Sequence, residues 1–255
     1  MNFHRILKLC ILCFSFCIAF PLITQGGIRD TKHNLSVTGQ GAIRAVEEKQ
    51  ICIFCHTPHN ANPAYPLWNH EVSAVTTYTH YVSNTLQSYS SEAGAPPIDG
   101  ISKLCLSCHD GTVAVGSVMS RTEEILMAIS DCVDSSGKLV DVDGCTGYIG
   151  TDLSGGHPIS IVYDEALVGK RNDPYNNLSK LNWPINDPYV KLYPTQGRLG
   201  VQCSSCHDPH TTRSSEPDPE DPTKTWPPFW QKSTFNEVCI VCHQEIPPNY
   251  EGFEW

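Results

Sequence analysis

The segment 52–59 has the sequence CIFCHTPH, in which one histidine directly follows a Cys-x-x-Cys pair and a second lies three residues further on. The first five positions form a Cys-x-x-Cys-His pattern, and the chain contains that pattern four times. The four copies are Cys52/Cys55/His56, Cys105/Cys108/His109, Cys203/Cys206/His207 and Cys239/Cys242/His243.

The Cys-x-x-Cys-His pattern is the attachment motif of c-type haem. One helical turn brings both sulfurs to the same edge of the porphyrin, where they add to its two vinyl groups, and the adjacent histidine ligates the iron. A single copy could instead be a redox dithiol or half of a zinc site, but neither chemistry requires that histidine. Four copies therefore predict four covalently attached haem c groups.

The arrangement of the opening segment recurs, since 203–210 has the sequence CSSCHDPH. Each CxxCHxPH unit is followed by a plain CxxCH motif, which indicates an internal duplication of a two-haem module. His59 cannot bind the iron of His56, because the backbones of two histidines on one iron lie roughly 12 Å apart and three residues span at most about 11 Å. We therefore expect His59 and His210 each to ligate a haem other than the one attached beside them.

Six histidines outside the attachment motifs and the N-terminal segment are candidates for the four open axial positions, so every iron can have two histidine ligands. His157 follows two glycines and precedes a proline, which favours ligation. His33 lies near the expected mature N-terminus. His70 and His80 are predicted to form hydrogen bonds around a haem without ligating iron. The predicted distal ligands are His33, His59, His157 and His210.

The N-terminus has the features of a secretory signal peptide, with Arg5 and Lys8 before an apolar run at 9–23. Residues 1–26 are predicted to be this signal peptide, and an uncleaved membrane anchor is the alternative. The mature chain would be acidic, since 17 Lys and Arg less these two leaves 15 against 27 Asp and Glu. Nucleic acid and, after signal cleavage, membrane surfaces are therefore not expected partners.

Two cysteines of the mature chain, Cys132 and Cys145, lie outside the haem motifs. They flank VDSSGKLVDVDG, a hairpin-like stretch with Ser-Ser-Gly at its turn. Exported proteins meet an oxidising environment, so we expect a disulfide between them. Two free thiols are the alternative.

The chain contains 18 Gly and 19 Pro, which predicts abundant connecting segments. Short helices are expected at 35–46, 100–108 and 121–129, whereas the proline-rich stretch 216–230 excludes a regular element. The predicted fold is mostly coil with short helices wrapped around a stack of four c-type haems, with little β-structure. The tetrahaem domain spans 27–255 and could consist of two di-haem halves, 27–150 and 151–255.

Several segments in this order resemble one known family: HNLSVTG, CIFCHTPHNANPAYPLWNH, KLCLSCHDGTVAVGS, GGHPIS, VQCSSCHDPH and VCIVCH. They are similar to the extracellular multihaem cytochromes with doubled CxxCH motifs, and most of all to the tetrahaem OmcE-type proteins, which polymerise into conductive filaments. The resemblance implies bis-histidine ligation throughout, little secondary structure and one distal histidine contributed by a neighbouring subunit.

These features together predict electron transfer by a secreted protein, extracellular or at the cell surface, rather than an enzyme. Its partners would be redox proteins or extracellular acceptors and, in a head-to-tail homopolymer, further copies of itself. His33 on its terminal segment is the candidate for donation to the next subunit, although it could equally ligate within its own chain. The alternatives are a monomeric periplasmic or secreted shuttle and a multihaem oxyanion reductase, although a reductase needs an open iron site.

Overall fold

The computed structural model describes residues 27–89, 94–184, 186–211, 229–232 and 234–245. The predicted signal peptide at 1–26 and most of the proline-rich stretch lie outside the described residues. Within the described ranges, no helix has the length and apolar character needed to cross a membrane.

Most of the described chain is coil with short helices, as the sequence predicted, and the named strands form one small sheet. The helix predicted at 100–108 is confirmed. The α-helices described are α1 (Gly100–His109), α2 (Glu165–Asn172), α3 (Cys203–Cys206) and α4 (Phe235–Cys242), and 3₁₀ turns span Ile28–Asp30 and Cys52–Phe54.

The sheet consists of β1 (Ile161–Val162), β2 (Tyr193–Thr195) and β3 (Arg198–Val201), in the antiparallel order β1-β3-β2. The turn between β2 and β3 uses Gln196 and Gly197, both with positive φ, at 49° and 73°. A two-residue turn of this kind matches the twist of a hairpin. Because β3 ends directly before α3, the hairpin fixes the start of the third CxxCH motif.

Capping boxes begin the two helices that carry the third and fourth motifs. Thr234 and Glu237 form the box of α4, each side chain bonding the backbone N–H of the other at 3.1 Å. Gln202 and Ser205 form the box of α3. These caps satisfy N–H groups that a helix start leaves without partners, so short helices can form at the motifs.

The helix predicted at 35–46 is wrong. Its first residues belong to a network of short polar side chains. Ser36 Oγ donates to Asn34 Oδ1 at 2.7 Å and lies 2.8 Å from Thr38 Oγ1. Such local bonds compete with helical hydrogen bonds.

The helix predicted at 121–129 is also wrong, because this segment is extended. Val46 N–H donates to Leu126 O at 2.9 Å, so the two failed helix segments pair with each other. Ile125 and Met127 are buried, whereas Leu126 between them is 71% exposed. This alternation has the period of a strand.

The predicted hairpin and disulfide are both present in the structure. Cys132 and Cys145 are bonded, with 5.3 Å between their Cα atoms. Asp134 Oδ1 accepts from the backbone N–H of Ser136 at 2.8 Å and of Lys138 at 3.0 Å, which forms the turn. The disulfide therefore closes a loop in which the Asp134 side chain already stabilises the turn.

Buried side chains anchor the CxxCH motifs to the core. Phe54 and Leu106, which lie between the cysteines of the first two motifs, are each 1% exposed. Val238, directly before Cys239, is also buried. Phe54 belongs to the largest hydrophobic cluster, which also contains Leu35, Ala45, Val115, Val118, Ile125, Met127, Val133 and Leu139. Each anchor fixes one side of a helical turn and so determines where the sulfurs lie.

Candidate haem sites

Three of the four attachment histidines lie beyond the helical turn that carries their two cysteines. His207 and His243 cap α3 and α4 in extended conformations, with ψ at 139° in both. His56 follows the 3₁₀ turn and forms an isolated antiparallel bridge with Trp68. His109 is the last residue of α1. In each motif the two cysteines lie on one helical turn, and the histidine is the last residue of that turn or follows it.

Three of the four attachment histidines face a predicted distal histidine. The ring centres are 6.0 Å apart for His33 and His109, 6.2 Å for His56 and His210, and 6.3 Å for His157 and His243. The first and third pairs are edge-to-face, and the second is stacked with 16° between the planes.

These separations suit an iron between two imidazoles. A metal lies about 2 Å from a ligating ring nitrogen, and that nitrogen lies about 1 Å from the centre of its ring. Two rings on one metal therefore have centres about 6 Å apart. His33 and His243 also each carry a buried Nδ1 that finds no hydrogen-bond partner among the described residues. The three pairs therefore fit the axial ligands of three haems.

One ring in each pair is oriented through its Nδ1. His109 Nδ1 donates to Gly147 O at 2.5 Å, and His157 Nδ1 donates to Pro158 O at 2.9 Å. His210 Nδ1 donates to the carboxylate of Asp208 at 3.0 Å. Such a bond fixes the tautomer and leaves Nε2 as the acceptor that a metal needs. Neighbouring residues thus orient His157 and His210, whereas the fold brings Gly147 to His109.

The surroundings of several paired histidines favour the neutral form of the ring. Burial lowers the pKa of His33 and of His243 to about 4, in each case with a contribution from the facing histidine. Burial likewise lowers the pKa of His109 and His157. Since only a neutral imidazole binds a metal, these rings are in the ligating form at neutral pH.

The fourth attachment histidine has an aromatic neighbour. His207 packs against Trp230 with 4.6 Å between ring centres and 32° between planes. His59, the remaining predicted distal ligand, is exposed, and its carbonyl accepts a hydrogen bond from Thr57 Oγ1 at 2.7 Å. The structure therefore brings together three of the four predicted distal ligands with an attachment histidine and leaves His59 at the surface.

His70 and His80 lie outside the histidine pairs. His70 is fully buried, with Nδ1 2.7 Å from Glu71 O and Nε2 3.0 Å from Ala114 O. Nε2 is also 3.3 Å from the sulfur of Cys108. With oxygen atoms at both ring nitrogens, His70 is positioned beside an attachment cysteine rather than as a ligand. The ring of His80 faces Tyr89, 6.4 Å between centres.

The sulfurs of successive motifs are neighbours. A hydrogen bond with Cys203, together with burial, raises the pKa of Cys105. Burial and then the neighbouring Cys108 raise the pKa of Cys55 to about 12. Cys206 has a raised pKa for the same reasons, with Cys242 as its first electrostatic neighbour. The first motif thus adjoins the second, the second the third, and the third the fourth.

A buried glutamine fixes the contact between the second and third motifs. Gln202 is 0% exposed, its Oε1 accepts from Ser102 N–H at 2.8 Å, and its Nε2 donates to Asp99 at 3.0 Å. Ser102 Oγ in turn accepts from Cys203 N–H at 3.0 Å. These bonds tie the start of α1 to the start of α3, and they place Cys105 beside Cys203.

The structure extends the duplicated CxxCHxPH unit by a segment that the sequence analysis missed. In the first copy Thr57 N–H donates to Leu67 O at 3.0 Å and Asn69 N–H donates to Cys55 O at 3.0 Å. The Asn69 side chain also donates to Ile53 O. Leu67 has a positive φ of 65°.

The second copy repeats each of these bonds. Asp208 N–H donates to Phe229 O at 2.6 Å, Gln231 N–H donates to Cys206 O at 2.8 Å, and the Gln231 side chain donates to Ser204 O at 3.2 Å. Phe229 has the same positive φ, at 68°. The sequence does contain a signal for this repeat. The triplets Leu-Trp-Asn at 67–69 and Phe-Trp-Gln at 229–231 each combine an apolar residue, a tryptophan and a residue with a side-chain amide.

No protein-family model matches the chain, and no relative is found among the curated proteins. Within the described residues, no group of three or more His, Cys, Asp or Glu side chains is arranged to hold a metal ion. The sites described above consist of histidine pairs beside attachment cysteines.

Proposed function

We propose that the chain is a tetrahaem c-type cytochrome that transfers electrons, with two histidine ligands on each iron. This proposal rests on one observation. Three attachment histidines each face a second histidine, with 6.0–6.3 Å between the ring centres. Bound haem supplies iron that exchanges one electron between its ferric and ferrous states. The protein has to hold the irons close together and keep other ligands away from them.

The described residues support both tasks. At three of the four proposed irons, paired imidazoles would occupy both axial positions and exclude water and small oxyanions, whereas the iron of His207 needs a second ligand from outside the pairs described. The adjacency of Cys55 to Cys108 and of Cys105 to Cys203 supports a haem row that follows the order of the motifs. Electrons would then pass between neighbouring haems from the first motif to the fourth, or in reverse.

The motif itself argues against the other metal and redox chemistries. Neither a zinc site nor a redox dithiol requires the histidine that follows each of the four cysteine pairs. The motif cysteines are also free of disulfides, whereas Cys132 and Cys145 are bonded. That bond suits an oxidising compartment, so export belongs to the proposal.

The test is to express the full chain in a host that attaches c-type haem. The haems that stay covalently attached to the denatured chain are then counted. We expect four covalent haems, a low-spin ferric electron paramagnetic resonance spectrum and no prompt binding of CO by the ferrous protein. A matched Cys239→Ala/Cys242→Ala variant should carry one haem fewer. Absence of covalent haem from the full chain, or a mainly high-spin spectrum, would overturn the proposal.

Polymerisation of this cytochrome is part of the proposal, and the exposure of His59 supports it. His33, the sequence-based candidate for donation, faces His109 of its own chain and is stacked on Phe229 at 4.4 Å, so the geometry favours the intrachain alternative. His59 instead is exposed and faces none of the attachment histidines in the part of the chain that the structure describes. An exposed imidazole can reach an iron of a neighbouring copy, and a head-to-tail contact of this kind grows into a filament.

Electron microscopy of two variants separates the two histidines. His59→Ala should abolish filaments, whereas His33→Ala should retain filaments and turn one haem high-spin. Filaments of the His59→Ala protein with all haems low-spin would contradict donation of this ligand.

A further inference from the structure

Trp68 and Trp230 occupy equivalent places in the duplicated unit. Trp68 forms an antiparallel bridge with His56, and Trp230 forms the same bridge with His207. Each tryptophan follows a residue with positive φ and precedes an amide residue that bonds back into its motif. The backbone therefore brings one indole to each of these two attachment histidines.

Both indoles contact the imidazole of their own unit, although at different angles. The ring centres of Trp230 and His207 are 4.6 Å apart, with 32° between planes. Those of Trp68 and His56 are 6.2 Å apart, and the rings are perpendicular. A ring held in this way restricts rotation of the imidazole, and so of a haem plane bound to it.

Both indoles also share an unmet polar requirement. Nε1 of Trp68 and Nε1 of Trp230 are buried, and neither finds a hydrogen-bond acceptor among the described residues. An indole N–H can only donate, and leaving it buried without an acceptor costs free energy. The same orphan donor at the same position in two copies indicates that the acceptor is something both copies bind.

A haem attached beside each indole carries such an acceptor. Its porphyrin is apolar except at two carboxylate groups, and a hydrogen bond to a carboxylate is stronger than one between neutral groups. We infer that Trp68 and Trp230 are equivalent positioning residues, each packing against its attachment histidine and donating its indole N–H to a haem carboxylate. This inference rests on the proposed function, because it requires the haems to be attached.

The inferred bond predicts a defined electrochemical effect. A donor stabilises the charged carboxylate and lowers the pKa of that group. Loss of the donor leaves more uncompensated negative charge near the iron, which favours the ferric state and shifts the reduction potential of that haem downward. The pH dependence of that potential should also move to higher pH, which a role in packing alone would not produce.

The experiment is a spectroelectrochemical titration of the haem-loaded full chain at several pH values. Trp68→Phe and Trp230→Phe retain an aromatic ring but lack the N–H, and each should lower one haem potential and raise the pH of its inflection. Trp183→Phe is the matched control, since Trp183 packs on Tyr163 and is not among the orphan donors. It should leave the inflections unchanged.

A second replacement keeps the test decisive if phenylalanine prevents folding. Benzothienylalanine at either position has the shape of tryptophan with sulfur in place of N–H, and it should produce the same shifts. If the unsubstituted protein carries four low-spin haems but no replacement moves an inflection, the inference is wrong and the proposed function stands. A shift at one tryptophan alone contradicts their equivalence. An unsubstituted protein without covalent haem overturns both.

Discussion

The imidazole rings of His56 and His210 are stacked, with 6.2 Å between their centres and 16° between their planes. His56 belongs to the first CxxCH motif and His210 lies three residues beyond the end of the third, so the two copies of the duplicated unit meet at one proposed iron. Asp208 orients His210 by accepting a hydrogen bond from its Nδ1 at 3.0 Å.

Replacing His210 should convert one haem to the high-spin state. In His210→Ala the iron bound by His56 would lose its second ligand, whereas all four thioether attachments would remain. Electron paramagnetic resonance should show one high-spin haem per chain, and the count of covalent haems should stay at four. His80→Ala serves as the control, because His80 faces Tyr89 instead of an attachment histidine. An entirely low-spin spectrum for His210→Ala would show that His210 is not an indispensable ligand.

Removing the disulfide should reduce stability without loss of haem. Cys132 and Cys145 are 13 positions apart, and closing a loop of this size contributes about 3 kcal/mol. The Cys132→Ala/Cys145→Ala protein should therefore have a lower free energy of unfolding in urea by about 2–3 kcal/mol. The haem count provides the internal control. Equal unfolding midpoints for the two proteins would contradict the prediction.

Stability should fall in mild acid partly because of His70. Burial lowers the pKa of His70 in the folded chain, whereas the unfolded chain takes up this proton near pH 6.5. The unfolded state then binds more protons below that pH, so the free energy of unfolding decreases as the pH falls. His70→Gln removes the titrating group and should reduce the difference in stability between about pH 7.5 and about pH 5.5.

The control for this titration is Gln40→Asn, at an exposed position that carries no titrating group. Urea denaturation at both pH values measures the effect in all three proteins. The prediction fails if His70→Gln retains the full acid sensitivity of the unsubstituted protein.

Gly111 should tolerate alanine less well than Gly144. Both have positive φ, at 71° and 88°, so alanine is strained at each position by about 1–2 kcal/mol. A Cβ at Gly111 would also lie 2.5 Å from Tyr148 and 2.8 Å from Leu139 O, whereas a Cβ at Gly144 meets nothing within 4 Å. Urea denaturation should therefore rank Gly111→Ala as the less stable variant, and the opposite ranking would be inconsistent with this packing.

Local chemistry made part of this structure predictable from sequence. The turn around Asp134 depends on residues within a few positions of one another, as does helix α1, and both predictions hold. The pairing of Val46 with Leu126 depends on distant segments. Both segments contain residues with reasonable helix propensity, so the strand-like arrangement was missed.

The candidate site shows the same division between local and distant information. The motif spacing predicts the attachment residues, and counting left six candidate histidines, from which the repeat, the local sequence and the terminal position selected His210, His157 and His33. The assignment of His33 to His109 required the fold, because nothing in either local sequence indicates the other. Trp68 and Trp230 were missed because their equivalence becomes evident only through matching backbone hydrogen bonds.

If the chain is the exported cytochrome proposed above, the pairing of His56 with His210 also has a consequence for the order in which the protein matures. A chain exported from its N-terminus presents the first motif to the attachment machinery long before position 210 emerges. The first iron would therefore pass through an interval with a single protein ligand and would become coordinatively complete only when the second copy of the unit arrives. A nascent chain arrested between the two copies would thus carry an exposed, reactive haem, which gives the cell a reason to couple translocation closely to folding.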